Sequence, residues 1–207
     1  MTSRGACALA VLLLAFGGWQ VGEAAWIHAK ASLAQVLIKR AWADTQNGAD
    51  RSKPWSWADT WPVAQIAVPR LQVDQIVLAG ASGRTLAFGP GHMDGTAEPG
   101  GDGVSVISGH RDTHFRFLQD LKSGDAMTVT DRSGARRTFR ITKTQVVDSD
   151  ASGLRVGTDD SWLALVTCYP FDAVDPGGPL RYVVYAESEA TPGAPIPSPS
   201  PNRVRPL

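Results

Sequence analysis

From Trp61 onward the chain breaks into short runs rich in Val, Ile, Leu, Thr and Phe, each closed by Gly, Pro or Asp. No other feature limits the possible folds so strongly. Such runs are too short for ordinary helices, and their regular punctuation suits the strands of an all-β barrel or sandwich. Strands are predicted over Ala64–Val68, Gln72–Ala79, Gly103–Ser108, Ala126–Asp131, Arg137–Val147, Trp162–Thr167 and Arg181–Ala186. The segment Asp131-Arg132-Ser133-Gly134 lies between two alternating runs and predicts a hairpin. Short helical turns are predicted over Thr113–Leu121 and around Thr85–Phe88.

The chain before Trp61 has a different texture. Arg4 precedes an apolar stretch from Ala6 to Val21, interrupted only by glycines and Gln20, and this reads as an export signal. It is shorter than the roughly 20 residues that span a bilayer comfortably. An uncleaved anchor is the preferred reading, and a signal peptide cleaved at the small-residue site Gly22-Glu23-Ala24 is the alternative. From Trp26 to Trp42 apolar residues recur near helical spacing with Lys30, Lys39 and Arg40 among them, which predicts an amphipathic helix. A stalk packed on the body is preferred over a membrane-surface helix. The expected organisation is a signal or transmembrane anchor over residues 1–24, a juxtamembrane helix and linker over 25–60, a β-barrel over 61–188, and a Pro-rich disordered tail over 189–207.

A chain of 207 residues with two non-globular ends leaves room for one domain of about 100–150 residues. Lys plus Arg total 20 and Asp plus Glu total 20, so no net field draws the protein to nucleic acid. Cysteine occurs at Cys7, inside the apolar N-terminal run, and at Cys168. Cys7 cannot meet a residue of the folded body, so no intradomain disulfide is expected, and a lone thiol in an exported body invites a reactive role. A small buried hydrophobe is the structural alternative.

Cys168 ends the apolar run Trp162–Thr167 and is followed by Tyr169 and Pro170. A cysteine at a strand's end sits on a barrel rim, where it can meet substrate. Its unperturbed pKa of about 8.5 leaves little thiolate at neutral pH, so a base or cation must stand nearby. The histidines are His28, His92, His110 and His114, all upstream of Cys168 and therefore in the reverse of the papain order. His110 stands just beyond the run Val104–Ser108, with Gly109 letting the chain turn or approach closely. This setting mirrors that of Cys168; His114 is a competing candidate and His92 a lesser one. Acyl transfer also needs a donor that keeps its proton while an oxyanion develops, and Arg181, which opens the run Arg181–Ala186, fits that need.

Together these segments resemble the sortase family. Gly109-His110-Arg111, with Phe115, Leu118, Leu121 and Gly124-Asp125, is similar to the family's histidine block. Val166-Thr167-Cys168 resembles its Thr-x-Thr-Cys strand with Leu165 in the first threonine's place, and Arg181 resembles its arginine. The resemblance covers Trp61 to Ala186 and implies a closed eight-stranded β-barrel with short helices, preceded by a membrane anchor and an amphipathic helix. It further implies a cysteine transpeptidase that cleaves a C-terminal Leu-Pro-x-Thr-Gly type sorting signal. Cys168 would form the thioester, His110 would act as general acid and then base, and Arg181 would bind substrate and stabilise the oxyanion. Thr167, beside the nucleophile, would add a backbone or hydroxyl contact to substrate. The implied partners are a secreted protein bearing the signal, an amine acceptor in the envelope, and the inner membrane through the N-terminal anchor, with the catalytic domain outside the cytoplasm. No cofactor or metal is implied, and no carboxylate cluster suggests calcium. The anchor, the helix and the short length look most like the branch found in Gram-negative bacteria.

Other readings are separable by motif. An L,D-transpeptidase-like enzyme would carry Ser-x-Gly-Cys-x-Arg, but Pro170 holds the arginine's place. A chymotrypsin-like cysteine protease shares the His-before-Cys order but lacks its Gly-x-Cys-Gly turn. A non-catalytic anchored barrel that only binds a partner would have Cys168 facing its core.

Overall fold

Eight strands close into a single barrel in the computed structural model, which describes residues 3–149, 161–173 and 177–189, with residues 3, 4 and 6–10 as backbone alone. The strands are β1 (Pro62–Val68), β2 (Val73–Ala79), β3 (Gly91–His92), β4 (Val104–Ser108), β5 (Ala126–Asp131), β6 (Arg136–Asp148), β7 (Trp162–Cys168) and β8 (Leu180–Ser188). Their order around the barrel is β1-β2-β3-β4-β7-β8-β6-β5, with β5 closing on β1.

Alternation decides which side chains fill the interior. Ile66 and Val68, Met127 and Val129, Phe139 and Ile141, Leu163 and Leu165, and Val184 and Ala186 point inward to form the main core. Residues of opposite parity on β4, β7 and β8 make a second apolar cluster on the outer face. Its centre is Val104, Val106, Ala164 and Val183, bordered by Val147, Trp162, Val166 and Tyr185. Those strands are thus apolar on both faces, which is why they read as continuous apolar runs in the sequence.

The expected hairpin joins β5 to β6. Asp131 Oδ1 accepts from the backbone N–H groups of Ser133 and Ala135, and Gly134 takes the positive φ of 84° that the tight turn requires. The predicted helical turns appear as α2 (Gly83–Leu86), capped by Ser82, and as a 3-10 helix over Arg116–Asp120. β3 was not expected from the residues: with two residues it is too short to show a period.

The N-terminal expectations need restating. The anchor and the juxtamembrane helix form no separate elements, because one helix, α1, runs from Ser3 to Gln46. Among the described residues no helix is long and apolar enough to cross a membrane. Glycines at 17 and 18, Gln20 and Glu23 dilute the apolar run. Ala34, Ile38, Ala41, Trp42 and Thr45, a stripe at helical spacing, are buried against the body, whereas Val11 to Ile27 carry exposed apolar side chains. The helix end is tied down by Gln46, whose amide donates to the Asp131 and Arg132 carbonyls. The Cys7 side chain and the expected tail from residue 190 on lie outside the described residues.

Candidate active site

Three chain directions bring the segments that carry Cys168, His110 and Arg181 to one rim. β4 and β7 are parallel, with Ser108 opposite Val166, so the residues leaving both strands emerge on the same side. β8 returns antiparallel to β7 and begins where β7 ends, with Cys168 opposite Arg181. Residues directly opposite in an antiparallel pair share a face, and neighbouring strands lie about 4.8 Å apart. The row continues to Val147 on β6, opposite Arg181. On the other side the Gly109 N–H donates to the Val166 carbonyl at 3.1 Å, so the turn carrying His110 adjoins the end of β7. Cys168, of the same parity as Ala164 and Val166, therefore lies on the outer face, not in the barrel interior, between the turn carrying His110 and the start of β8, and its side chain is half-buried.

Gly109 makes the approach of His110 feasible. A Cβ at position 109 would fall 2.7 Å from Cγ of the fully buried Phe115. The Phe115 N–H in turn donates to the His110 carbonyl at 2.9 Å, closing the turn behind the imidazole. His110 itself is exposed.

Arg181 Nη1 donates to the carbonyls of Gly178 at 2.7 Å and Leu180 at 2.9 Å, so its guanidinium is held against the chain that enters β8. Tyr169, Phe171 and Tyr182 pack as three rings 5.2 to 6.3 Å apart, and Phe171 and Tyr182 rest on the core. They close the barrel end next to Cys168.

From Thr167 a backbone or hydroxyl contact to substrate was expected. Strand alternation turns its side chain to the side opposite Cys168, where it is 2% exposed. Its hydroxyl donates to the Gly109 carbonyl at 2.7 Å. Any substrate contact from this residue falls to its backbone, and its side chain instead joins the Cys168 strand to the His110 turn.

The competing histidines sit elsewhere. The His92 ring is buried and bonded to the Ala97 carbonyl at 2.9 Å and the Thr96 hydroxyl at 3.0 Å. His114 is half-buried and its pKa is lowered, first by burial and then by the neighbouring His110; a bond to the Ala87 backbone opposes this. It lines a cleft of about 480 Å³ between α1 and β2, with Gln75 and Trp42 among the other walls. Among the described residues no group of three or more His, Cys, Asp or Glu is arranged to hold a metal ion.

In the sequence Arg111 stands out only as part of Gly109-His110-Arg111. In the structure its Nη1 donates to the Pro170 carbonyl at 2.9 Å and its Nη2 to the Ala173 carbonyl at 2.8 Å, both on the turn leaving Cys168. Its place directly after His110 was the available signal.

Comparison with known proteins gives the same picture at the level of family and fold. The sequence model of the Sortase domain matches residues 66–189. Sortase D of Bacillus subtilis is 33% identical over 123 residues, which are 59% of this chain and 61% of that protein, so the match spans less than two thirds of the relative's length. The Sortase D5 transpeptidase of Clostridium perfringens superimposes with a TM-score of 0.55 at 24% identity, covering 73% of this chain and 89% of that one. Sortase C of Clostridium perfringens, solved with the C-terminal cell wall sorting motif, gives a TM-score of 0.57 at 22% identity over 79% of this chain and 91% of that one.

Proposed function

This chain belongs to the sortase family, and from that premise we propose that it is a cysteine transpeptidase whose reacting groups are Cys168, His110 and Arg181. The observation that carries the proposal is the cross-strand row on the outer face, in which the thiol of β7 is flanked by the turn carrying His110 and by the start of β8 carrying Arg181.

The chemistry follows from that row. The Cys168 thiolate adds to a peptide carbonyl, and the negative charge that develops on oxygen is met by the Arg181 guanidinium, a donor that does not lose its proton. His110 gives a proton to the leaving amine as the C–N bond breaks, which leaves a thioester on Cys168. An amine acceptor then surrenders its proton to His110 and attacks the thioester carbonyl; the C–S bond breaks, Cys168 leaves as thiolate, and the thiolate–imidazolium pair is restored as transpeptidation ends.

A secreted protein with a C-terminal Leu-Pro-x-Thr-Gly type signal is the proposed acyl donor. An apolar outer face beside Cys168, bordered by the half-buried Val147 and Val166, supports an extended apolar peptide as the ligand. The related sortase C bound to a sorting motif supports the same class of substrate. The acceptor is an amine in the cell envelope. We place the catalytic body outside the cytoplasm at the inner membrane with α1 as its tether, a reading supported by the exposed apolar side chains from Val11 to Ile27. Assignment to the branch of Gram-negative bacteria belongs to the same proposal and rests on the N-terminal helix α1.

Incubation with a sorting peptide followed by intact-mass measurement tests the mechanism. The native protein should carry the acyl adduct, and a methanethiosulfonate reagent should label Cys168 and block its formation. Cys168→Ala should form none. His110→Ala and Arg181→Ala should fold yet turn over at least about a hundredfold more slowly. Cleavage of the peptide by Cys168→Ala at the native rate would remove the thiol from the reaction.

A further inference from the structure

We propose that Arg111 is a positioning residue whose guanidinium fork joins the turn leaving Cys168 to the turn carrying His110 and thereby sets the separation of thiol and imidazole. The proposal rests on the reading of Cys168 and His110 as the reacting pair.

The backbone ladder by itself does not reach that pair on the β4 side. Among the described residues the last backbone hydrogen bond between the two segments runs from the Gly109 N–H to the Val166 carbonyl, 3.1 Å. The Thr167 hydroxyl adds one more tie, again to Gly109. His110 and Cys168 both stand one step past these bonds. On its other flank Cys168 is better held, since the Tyr169 N–H donates to the Leu180 carbonyl of the chain entering β8 at 3.1 Å.

Arg111 fills the gap. Its two terminal nitrogens each take a different carbonyl, those of Pro170 and Ala173, from a backbone position adjacent to His110. A planar fork can satisfy two acceptors three residues apart at once and fix the angle between them, whereas an ammonium is a point charge on a flexible stem. The fork also anchors the first part of the loop that continues to Arg181, so all three segments of the row are referred to one rigid group.

Steady-state kinetics of the full-length protein with a sorting peptide, compared with the iodoacetamide alkylation rate of Cys168, tests this. For Arg111→Ala we expect kcat to fall about ten- to hundredfold, the scale of an ångström-sized misplacement of reacting groups. KM should stay within about threefold, because ground-state binding of the peptide is untouched. Arg111→Lys should keep the charge but lose most of the same kcat, and both variants should shift the pH profile of Cys168 alkylation. Full activity in Arg111→Lys would overturn the fork and leave a charge effect. Native kcat in Arg111→Ala, or a loss confined to KM or matched by loss of folded protein, would overturn positioning altogether. Should Arg111→Ala fail to fold, Arg111→Gln, with one amide donor, supplies the comparison, and native kcat there overturns the proposal. Alkylation needs no peptide. A native protein that alkylates but never forms an acyl adduct therefore sinks the transpeptidase reading, while the alkylation profiles still judge Arg111.

Discussion

At the residue scale the site depends on a missing side chain. Gly109 lies against the face of Phe115, with the positions of Cγ, Cδ2 and Cδ1 all within 3.0 Å of where a Cβ would stand. That ring is fully buried and meets Phe117 edge-on at 5.9 Å, so it has nowhere to retreat. Gly109→Ala should therefore cost about 1–3 kcal/mol as an overpacking change and should reduce turnover by moving the His110 turn. Gly83→Ala, where nothing lies within 4 Å of the new methyl, should be neutral or slightly stabilising in α2. Urea denaturation and initial rates of the two variants check this; equal stability of both would show that the Phe115 contact is not a constraint. Positions were legible beforehand at this scale. Strand ends were expected at Cys168, His110 and Arg181, and the structure has β7 ending at Cys168, β4 ending two residues before His110 and β8 beginning one residue before Arg181; at Gly109 a turn or a close approach was expected. The identity of Phe115 as the group approached was not legible, because the two meet through a turn and not through any periodicity. For Thr167 the resemblance named a backbone or hydroxyl contact without choosing between them; alternation gives the side chain's direction, since it shares parity with Leu163 and Leu165, which face the core.

At the element scale, the segment that buries Phe115, Leu118 and Leu121 behind His110 has no ladder of its own and needs an external tie. Arg70, on the 3-10 turn Pro69–Leu71 after β1, supplies it. Its Nε donates to Asp125 Oδ1 at 2.8 Å and its Nη2 to Asp125 Oδ2 and the Asp120 carbonyl, both at 2.6 Å. The Arg70 bond, helped by the Lys122 backbone N–H, holds the Asp125 carboxyl below its ordinary range against the opposing effect of burial. A carboxylate depressed in the folded state contributes stability above its unfolded pKa of about 3.9, and that stability is lost as pH falls through the folded value. Asp125→Asn should thus be less stable than the native protein at pH 7, and the gap should close in acid below that range. Denaturation at both pH values decides it: an unchanged gap would mean the charge is not what holds the segment. Arg70 and Asp125 are far apart in the chain, and no local pattern announced their pairing. By contrast, alternating runs such as Ala126–Asp131 were located to the residue, because every second side chain answers to the core. β3 escaped because its identity is purely tertiary: Gly91 pairs with Leu78 on one side and Ser108 on the other, and a Cβ there would stand 2.2 Å from the Gly80 carbonyl oxygen.

At the scale of the whole molecule, α1 is two different things along one axis. Its 44 residues reach about 65 Å at 1.5 Å per residue, far more than the barrel can cover. Among its described residues only the stripe from Ala34 to Thr45 is buried, against β1 and β2. In the barrel order those strands lie across from β7 and β8, which carry Cys168 and Arg181. The last turns of α1 should therefore contribute to the stability of the body without contributing to the chemistry, and the first turns should contribute to neither. Ile38, 2% exposed, and Leu33, 57% exposed, stand five residues apart on the same helix and separate these roles. Ile38→Ala removes buried methyl groups from the seam and should destabilise by about 2–4 kcal/mol, whereas Leu33→Ala should stay within about 0.5 kcal/mol of the native protein. Both should retain native kcat at temperatures where they remain folded. If Ile38→Ala is as stable as Leu33→Ala, the seam is not part of the folded body. If instead Ile38→Ala loses turnover while fully folded, α1 reaches the reactive row through the barrel, and helix and site cannot be treated as independent parts.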